Sequence, residues 1–464
     1  MNRTASSHAS TTARHRSACF LVLLCLLAGS TAYVVRARRV TAGDAPPTPP
    51  LSIKGDGTTD DTAAIQAGLN ALADKGGTLT LPPGRYLVKG SVTVPDGVSL
   101  EGSAHAPRYN HPLTGTVILA TGGRDHEDAP ALFEMGDSTT VTNLTVHYPE
   151  QKASDIHPYA WTFHLKGCDN TVENVTLINS YNGIRVGDCR EGNVRHRIRS
   201  VYGCVLRRGI YVDGCSDVGR IENVHFHGHW WWAKEVGGAP DEPGGRLGLV
   251  NRYLRDHLEA FVIGRSDWEY ITNTFVFIAK TGYRFIKTPA GAGSCQMVGV
   301  GADAVHASVV VDGIVSWWTL LITNGQFASD GADPTAVGVQ INRNADPAAN
   351  GSVRLVNCSI LAPQGVVSHN PKVTSLQDCY LNTWGPTTNH PLVQADAGTL
   401  QVSGCNFEHD RGAPGPASPC IEIARPLSYA MISGNVGQAG VTIINKGVPE
   451  KNVVTANNQP AAPG

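Results

Sequence analysis

The amino-acid sequence predicts an all-β chain wound as a right-handed parallel β-helix, a solenoid closed at its N-terminal end by one short capping helix. Three observations carry this reading. A short apolar pattern centred on Asn recurs at intervals of roughly 21–33 residues. A second short strand begins nine residues after several of those centres. A single amphipathic helical segment, near residue 65, precedes the repeats.

At the N-terminus, Arg3, Arg14 and Arg16 precede an uncharged stretch over 17–35, and Arg36, Arg38 and Arg39 follow it. Residues 1–40 therefore read as a signal peptide, with the small residues Ser30 and Ala32 at a cleavage site, or as a signal anchor of just spanning length. Cys25 follows Leu23-Leu24 rather than small residues, which speaks against a lipoprotein site. Either reading exports the folded part, to a secreted or periplasmic location or to an anchored one. Pro46, Pro47, Pro49 and Pro50 make residues 41–50 an extended linker. The remainder, 51–460, is expected to be one domain whose first part, 51–102, is a cap module. A net charge of −2 offers no basic field for nucleic acid.

The cap module begins with Asp60 and Asp61, which sit where a helix N-cap belongs, before an apolar face of Ala64, Ile65, Leu69 and Leu72. Gly76-Gly77 ends the helix, 78–81 reads as a strand, Pro82-Pro83-Gly84 turns the chain, and Tyr86-Leu87-Val88 opens the next strand. Asp60-Asp61 also resembles an acid pair, but capping accounts for its position better.

The repeat is clearest as VTNLTV around Asn143, VENVTL around Asn174 and IENVHF around Asn223. Looser copies centre on Asn273, Asn324 and Asn357, and degenerate ones on Ser200, Asn251, Gly299, Asp378, Gly404 and Gly434. The second beat falls at Gly183, Gly209, Ala260 and Gly282. Strands this short cannot bury their apolar faces alone, whereas stacked coils can, each strand pairing with its equivalent one coil on. A propeller blade would need a period of about 40 residues, and a β-sandwich explains the regular spacing less well. The Asn column is expected at one corner, where Asn tolerates the turn conformation and its amides can bond along the axis.

The cysteines follow the same register. Cys358, Cys379 and Cys405 each lie one residue past a centre and should stack as an inward column of small hydrophobes. Cys189 and Cys215 fall six residues past Gly183 and Gly209, so they are expected as stacked thiols or as a disulfide across strands about 4.8 Å apart.

The run from Gly55 through Thr58, Asp60-Asp61, Ile65-Gln66 and Leu69, followed by Gly76-Gly77 and Pro83-Gly84-Arg85-Tyr86, resembles the opening module of the pectate-lyase superfamily, in the branch related to glycoside hydrolase family 28 and phage tailspikes. The resemblance implies a right-handed parallel β-helix and a polysaccharide partner. The motifs of polygalacturonase-type members are not matched. The chain has no Asn-Thr-Asp and no second Asp-Asp; it has His227-Gly228-His229 in place of Gly-His-Gly, and its Arg284 and Lys287 are one residue further apart than in Arg-x-Lys. That specific activity is not implied.

The chemistry is expected between His225 and Lys287. Trp230, Trp231 and Trp232 suit a ledge on which sugar C–H faces stack, or else fill a widened core under an insertion. His225, His227 and His229 share a strand face if the strand is regular; a metal site or, better, an outward His ladder follows. Glu259, Asp267 and Glu269 are the candidate catalytic carboxylates, since a glycosidase needs two about 5–10 Å apart. Asp303 and Asp312 stand in reserve. His227, His229, Arg265, Arg284 and Lys287 complete the substrate-binding set, the three cations holding an acidic sugar, with Asp188 on the same edge. The expected function is an exported enzyme cleaving glycosidic bonds of a polysaccharide, a glycoside hydrolase first. A polysaccharide lyase on a uronate glycan, a non-catalytic carbohydrate-binding or structural β-helix and, as a lesser reading, a sugar epimerase are the alternatives. No resident metal or cofactor is expected, calcium entering only with a lyase, and a membrane only through the N-terminal anchor.

Overall fold

The computed structural model describes residues 53–105, 112–189, 192–232, 248–384, 390–409 and 419–461. The expected targeting segment and linker lie outside these residues, as does 233–247 of the Trp-rich insertion. No helix among the described residues is long and apolar enough to cross a membrane.

Every strand pairs in parallel with its equivalent one coil away, and the coils wind as a right-handed β-helix. Each coil contributes to three sheets in turn. The first holds strands such as Glu269–Thr272 and Cys295–Val298, the second Phe275–Phe277 and Gly301–Val305, the third Glu259–Ile263 and Thr281–Phe285. In two coils the strand is nearly continuous around the corners, as Thr171–Val186 and Arg197–Val212.

The corner between first and second sheets is where the repeat residues sit. Asn143, Asn174, Ser200, Asn223, Asn273, Gly299, Asn324, Asn357, Asp378, Gly404 and Gly434 all adopt positive φ, between 51° and 68°, and Asn457 continues the column. Only Gly, Asn and Asp enter this conformation cheaply, because other side chains meet the following carbonyl oxygen. The amides then bond along the axis. Asn174 Nδ2 donates to Asn143 Oδ1 at 2.7 Å, Asn357 Nδ2 to Asn324 Oδ1 at 2.8 Å, and Asn223 Nδ2 to Ser200 Oγ at 3.1 Å.

One predicted centre is corrected. Asn251 lies in a helix, α2 (Gly248–His257), not at a corner. The apolar residues Val250 and Leu254 are buried on one helical face, a spacing that a short window cannot distinguish from a strand. The strand expected nine residues later exists nonetheless. Glu259–Ile263 is the third-sheet strand of the coil that begins at Asn223, pairing Arg208 with Glu259 and Glu259 with Thr281.

The interior is filled by equivalent residues stacked along the axis. Ile210, Phe261, Tyr283 and Val309 follow one another in the third sheet, and the rings of Phe261 and Tyr283 lie 4.8 Å apart at 10°. Each such fully buried side chain contributes about 1.5–3 kcal/mol. The second beat also has a steric cause. A Cβ on Gly209 would lie 2.3 Å from the Ala260 carbonyl oxygen, and one on Gly183 2.3 Å from that of Gly209.

At the N-terminal end the helix α1 (Thr62–Asn70) lays Ile65 and Leu69 over the first coil, with Ala64 and Leu72 half-buried. The acid pair before it serves the backbone. Asp61 is buried and accepts from the amides of Lys54 and Gly55 at 2.7 and 3.0 Å, while Asp60 accepts from that of Thr62 at 3.0 Å.

Cys358, Cys379 and Cys405 form the buried column, Cys379 in hydrogen-bonding contact with both neighbours. The nine described cysteines are free thiols. Cys189 and Cys215 do not stack: Cys215 pairs with Asn193, because seven positions separate Val186 from Asn193 and only three separate Val212 from Cys215, and Cys189 lies against Cys168 instead.

Two glycine substitutions separate steric from conformational cost. Gly203 has φ 152°, and a Cβ there would lie 1.9 Å from the Leu177 carbonyl oxygen. Gly203→Ala should therefore lower unfolding free energy by about 3 kcal/mol or more in urea titrations. Gly97, at φ 68° with nothing within 4 Å of its would-be Cβ, should lose only about 1 kcal/mol as Ala.

Candidate functional site

The outward face of the third sheet is built by register. Glu134, His164, Arg185, Tyr211, Val262, Arg284, Val310 and Gln340 are successive partners in adjacent coils and form one column along the axis. Over this column lies a cleft of about 540 Å³, lined by Trp161, Arg185, Arg208, Tyr211, Glu259, Arg284, Lys287 and Asp312, with Glu127 and Asp128 contributed by a preceding loop.

Charge in the cleft is arranged in bridges between coils. Glu259 Oε1 accepts from Arg284 Nη1, and Glu259 Oε2 lies 3.4 Å from Arg207 Nη1. Arg284 Nε reaches Asp312 Oδ2 at 2.9 Å, and Asp312 Oδ1 accepts from Asn342 Nδ2 at 2.7 Å. Burial works against the Arg284 charge, but Glu259 and Asp312 outweigh it and hold the guanidinium protonated even more firmly than usual. Arg185 pairs with Asp188 at 2.7 Å, Arg208 with Glu127 at 4.0 Å, and Lys287 with Asp346 at 3.4 Å. The Tyr211 hydroxyl stands among these groups. Its burial first, and Asp213 second, push its pKa upward, so the hydroxyl stays protonated at neutral pH.

Of the residues singled out in the sequence, the structure brings Glu259, Arg284 and Lys287 together in this cleft, with Asp312 from the reserve pair. Asp267 and Arg265 pair with each other in a neighbouring recess, which Lys287 also borders. The proposed Glu259–Asp267 pair is thus divided between two hollows. Glu269 is not available to a polymer. It is fully buried, accepting from Ser266 Oγ at 2.8 Å and lying 3.0 Å from His196 Nε2. Asp303 sits on the second sheet, one coil on from Phe277.

The tryptophan ledge is corrected as well. Trp230, Trp231 and Trp232 form a 3-10 turn, Gly228–Trp232. Trp231 is fully buried, and Trp230 packs edge-on against His225 at 5.0 Å. Trp231 thus serves as core beside the α2 insertion and not as an open ledge. His225 and His227 do form an outward ladder, with Phe226 turned inward. His227 stacks on Phe277 at 4.5 Å and on His229 at 3.9 Å. Burial, then His229 and His225, hold the His227 pKa down to about 3. His225, His227 and Phe277 belong to the second sheet and His229 to the 3-10 turn, and none of them lines the cleft. Among the described residues one group places three potential metal ligands within 4.8 Å of one another, namely Asp137, Cys168 and Cys189; none lines the cleft.

Sequence reasoning missed Trp161, Arg185, Arg208, Tyr211, Glu127 and Asp128. The signal for two of them was present. Arg185, Tyr211, Val262 and Arg284 each fall two residues past the second beat at Gly183, Gly209, Ala260 and Gly282. Glu127 and Asp128 come from a loop outside the repeat.

Three stacked parallel sheets with a charged cleft along one outer face make this chain a right-handed parallel β-helix protein. In sequence, the model of a family described as "Rhamnogalacturonase A/epimerase, pectate lyase-like" matches residues 51–112. The chain is similar to mannuronan C5-epimerase AlgE2 of Azotobacter vinelandii, 47% identical over 130 residues, 26% of this chain and 13% of that protein. It is also similar to the non-secreted LysM effector LysM19 of Penicillium expansum, 33% identical over 86 residues, 18% of this chain and 6% of that protein. The chain thus spans only a small part of the length of these curated relatives. Among solved structures it resembles a tailspike protein mutant of the E. coli bacteriophage HK620 in complex with a hexasaccharide. That likeness has a TM-score of 0.52 at 11% identity, covering 86% of this chain and 76% of that one; it reflects a shared fold.

The buried His196–Glu269 pair yields a pH prediction. Burial opposes the imidazolium, but Glu269 and then Cys215 outweigh it and raise the His196 pKa from 6.5 to about 10. A raised folded-state pKa stabilises fully below 6.5, and that contribution is lost as pH rises through about 10. The melting temperature should therefore fall between neutral pH and pH 10. Glu269→Gln should lower stability by about 3–5 kcal/mol at neutral pH and flatten the alkaline fall in thermal melts.

Proposed function

We propose that this chain is an exported carbohydrate-active enzyme that holds an acidic polysaccharide in the third-sheet cleft and acts on a uronate unit by proton transfer at the carbon beside its carboxylate. The observation that carries the reading is that Arg185, Arg208 and Arg284 line one open cleft together with Tyr211 and Lys287. Cations at a uronate carboxylate stabilise the negative charge that develops when the neighbouring proton leaves. Lys287 is the candidate base, and Tyr211 the candidate donor. If Tyr211 protonates the departing glycosidic oxygen, the result is elimination; if a proton returns to the carbon from the other face, it is epimerisation. The family description naming an epimerase, and a relative whose name assigns it mannuronan, support an acidic substrate. The arginine-flanked stretch at 17–35 supports export.

Hydrolysis is the second reading, favoured by Glu127, Asp128, Glu259 and Asp312 lining the same cleft. It ranks second because both Glu259 oxygens are already engaged by guanidinium groups, which makes Glu259 a positioning group for Arg284.

Incubating the protein with uronate and neutral polysaccharides in deuterated water, with products read by mass spectrometry and NMR, distinguishes these chemistries. Deuterium beside the carboxylate is expected, with either unsaturated chain ends or inverted stereochemistry. Arg284→Ala should lower kcat/KM by about a hundredfold or more. Products heavier by water and free of carbon-bound deuterium would establish the hydrolase instead. Binding without turnover of any substrate would sink the enzymatic reading.

A further inference from the structure

Beside the cleft the protein exposes an aromatic cluster that the proposed reaction does not use. Trp317 and Trp318 occupy the turn leading from the third-sheet strand Ala307–Val311 to the first-sheet strand Thr319–Thr323. Trp268 occupies the corresponding turn two coils earlier, just before Glu269–Thr272. The three indoles meet edge to face, Trp268 with Trp318 at 5.4 Å and Trp317 with Trp318 at 5.8 Å. They are nevertheless open to solvent, Trp317 being 67% exposed. Exposed tryptophan grouped in this way is rare on a surface without a partner. Trp268 also holds φ 56°, which a bulky side chain seldom adopts, and its amide is tied to Ser294 Oγ at 3.0 Å.

Trp317 forms one wall of a recess of about 220 Å³, whose other walls include Arg265, Asp267, Lys287 and Asp346. Lys287 lines this recess and the cleft alike, so the two hollows adjoin at one side chain. An indole offers its face to sugar C–H bonds, and a guanidinium can answer a carboxylate. We infer that this recess is a second sugar subsite, in which Trp317 stacks on a uronate unit of the same polymer and Arg265, exchanging its pairing with Asp267, holds its carboxylate. The inference rests on the cleft reading and extends it: the polymer runs from Tyr211 past Lys287 onto Trp317. Recognition is then by chain length as well as by charge.

Binding of uronate oligosaccharides, a dimer against a decamer, measured by calorimetry and by tryptophan fluorescence, tests this. The decamer should bind the wild-type protein about tenfold more tightly than the dimer and should quench fluorescence. In Trp317→Ala that ratio should fall towards one and the quenching should shrink, with an unchanged melting temperature showing that the fold is intact. A wild-type affinity independent of length, or a ratio preserved in Trp317→Ala, would overturn the subsite and leave the cleft standing. No binding of either oligosaccharide to the wild-type protein would overturn both readings.

Discussion

All else in this molecule depends on one constraint: each strand must lie parallel to its own equivalent a single coil away, about 4.8 Å along the axis. That requirement makes every coil turn at the same places. It selects Asn, Gly or Asp at every corner of the column but that of Ser200, because they enter positive φ most cheaply. It excludes Cβ atoms where a neighbouring carbonyl oxygen approaches, as at Gly183 and Gly209. It also brings residues some twenty to fifty positions apart in the chain into direct contact, which is how Glu259, Arg284 and Asp312 come to share one charge bridge.

The same geometry explains what was legible in the sequence. The corner residues carry a chemical signature, so the coil stacking could be read from Asn143, Asn174 and Asn223 and from degenerate copies such as Ser200 and Asp378. Asn251 failed because it was judged on apolar spacing alone, and Val250 with Leu254 satisfies a helix as well as a strand. Cys189 and Cys215 failed because counting residues assumes equal lengths, and the chain takes four more positions from Val186 to Asn193 than from Val212 to Cys215.

The site was harder to read because function uses outward positions, which no packing rule constrains. Glu259, Arg284 and Lys287 were found because they lie on or beside the counted beat. Glu269 was chosen for its charge, and nothing in the sequence tells that its carboxylate faces inward towards His196 and Ser266. Trp231 was chosen for its ring, although a large ring beside an insertion serves a core equally well. Arg185 and Tyr211 could have been recovered by asking which residues fall two positions past each glycine of the second beat.

The coil that carries Glu259 is also the one that departs from the stack between Asn223 and Asn273 to form α2 and then rejoins in register. A solenoid tolerates such a departure because the strand register resumes at Glu259–Ile263, while Trp231, Val250 and Leu254 bury the excursion's apolar side in the core. Composition at its exposed positions is consequently free to drift while the charged column stays aligned. Variation among descendants of this chain should accumulate in that excursion, reshaping what the protein presents to its surroundings without disturbing the machinery beneath.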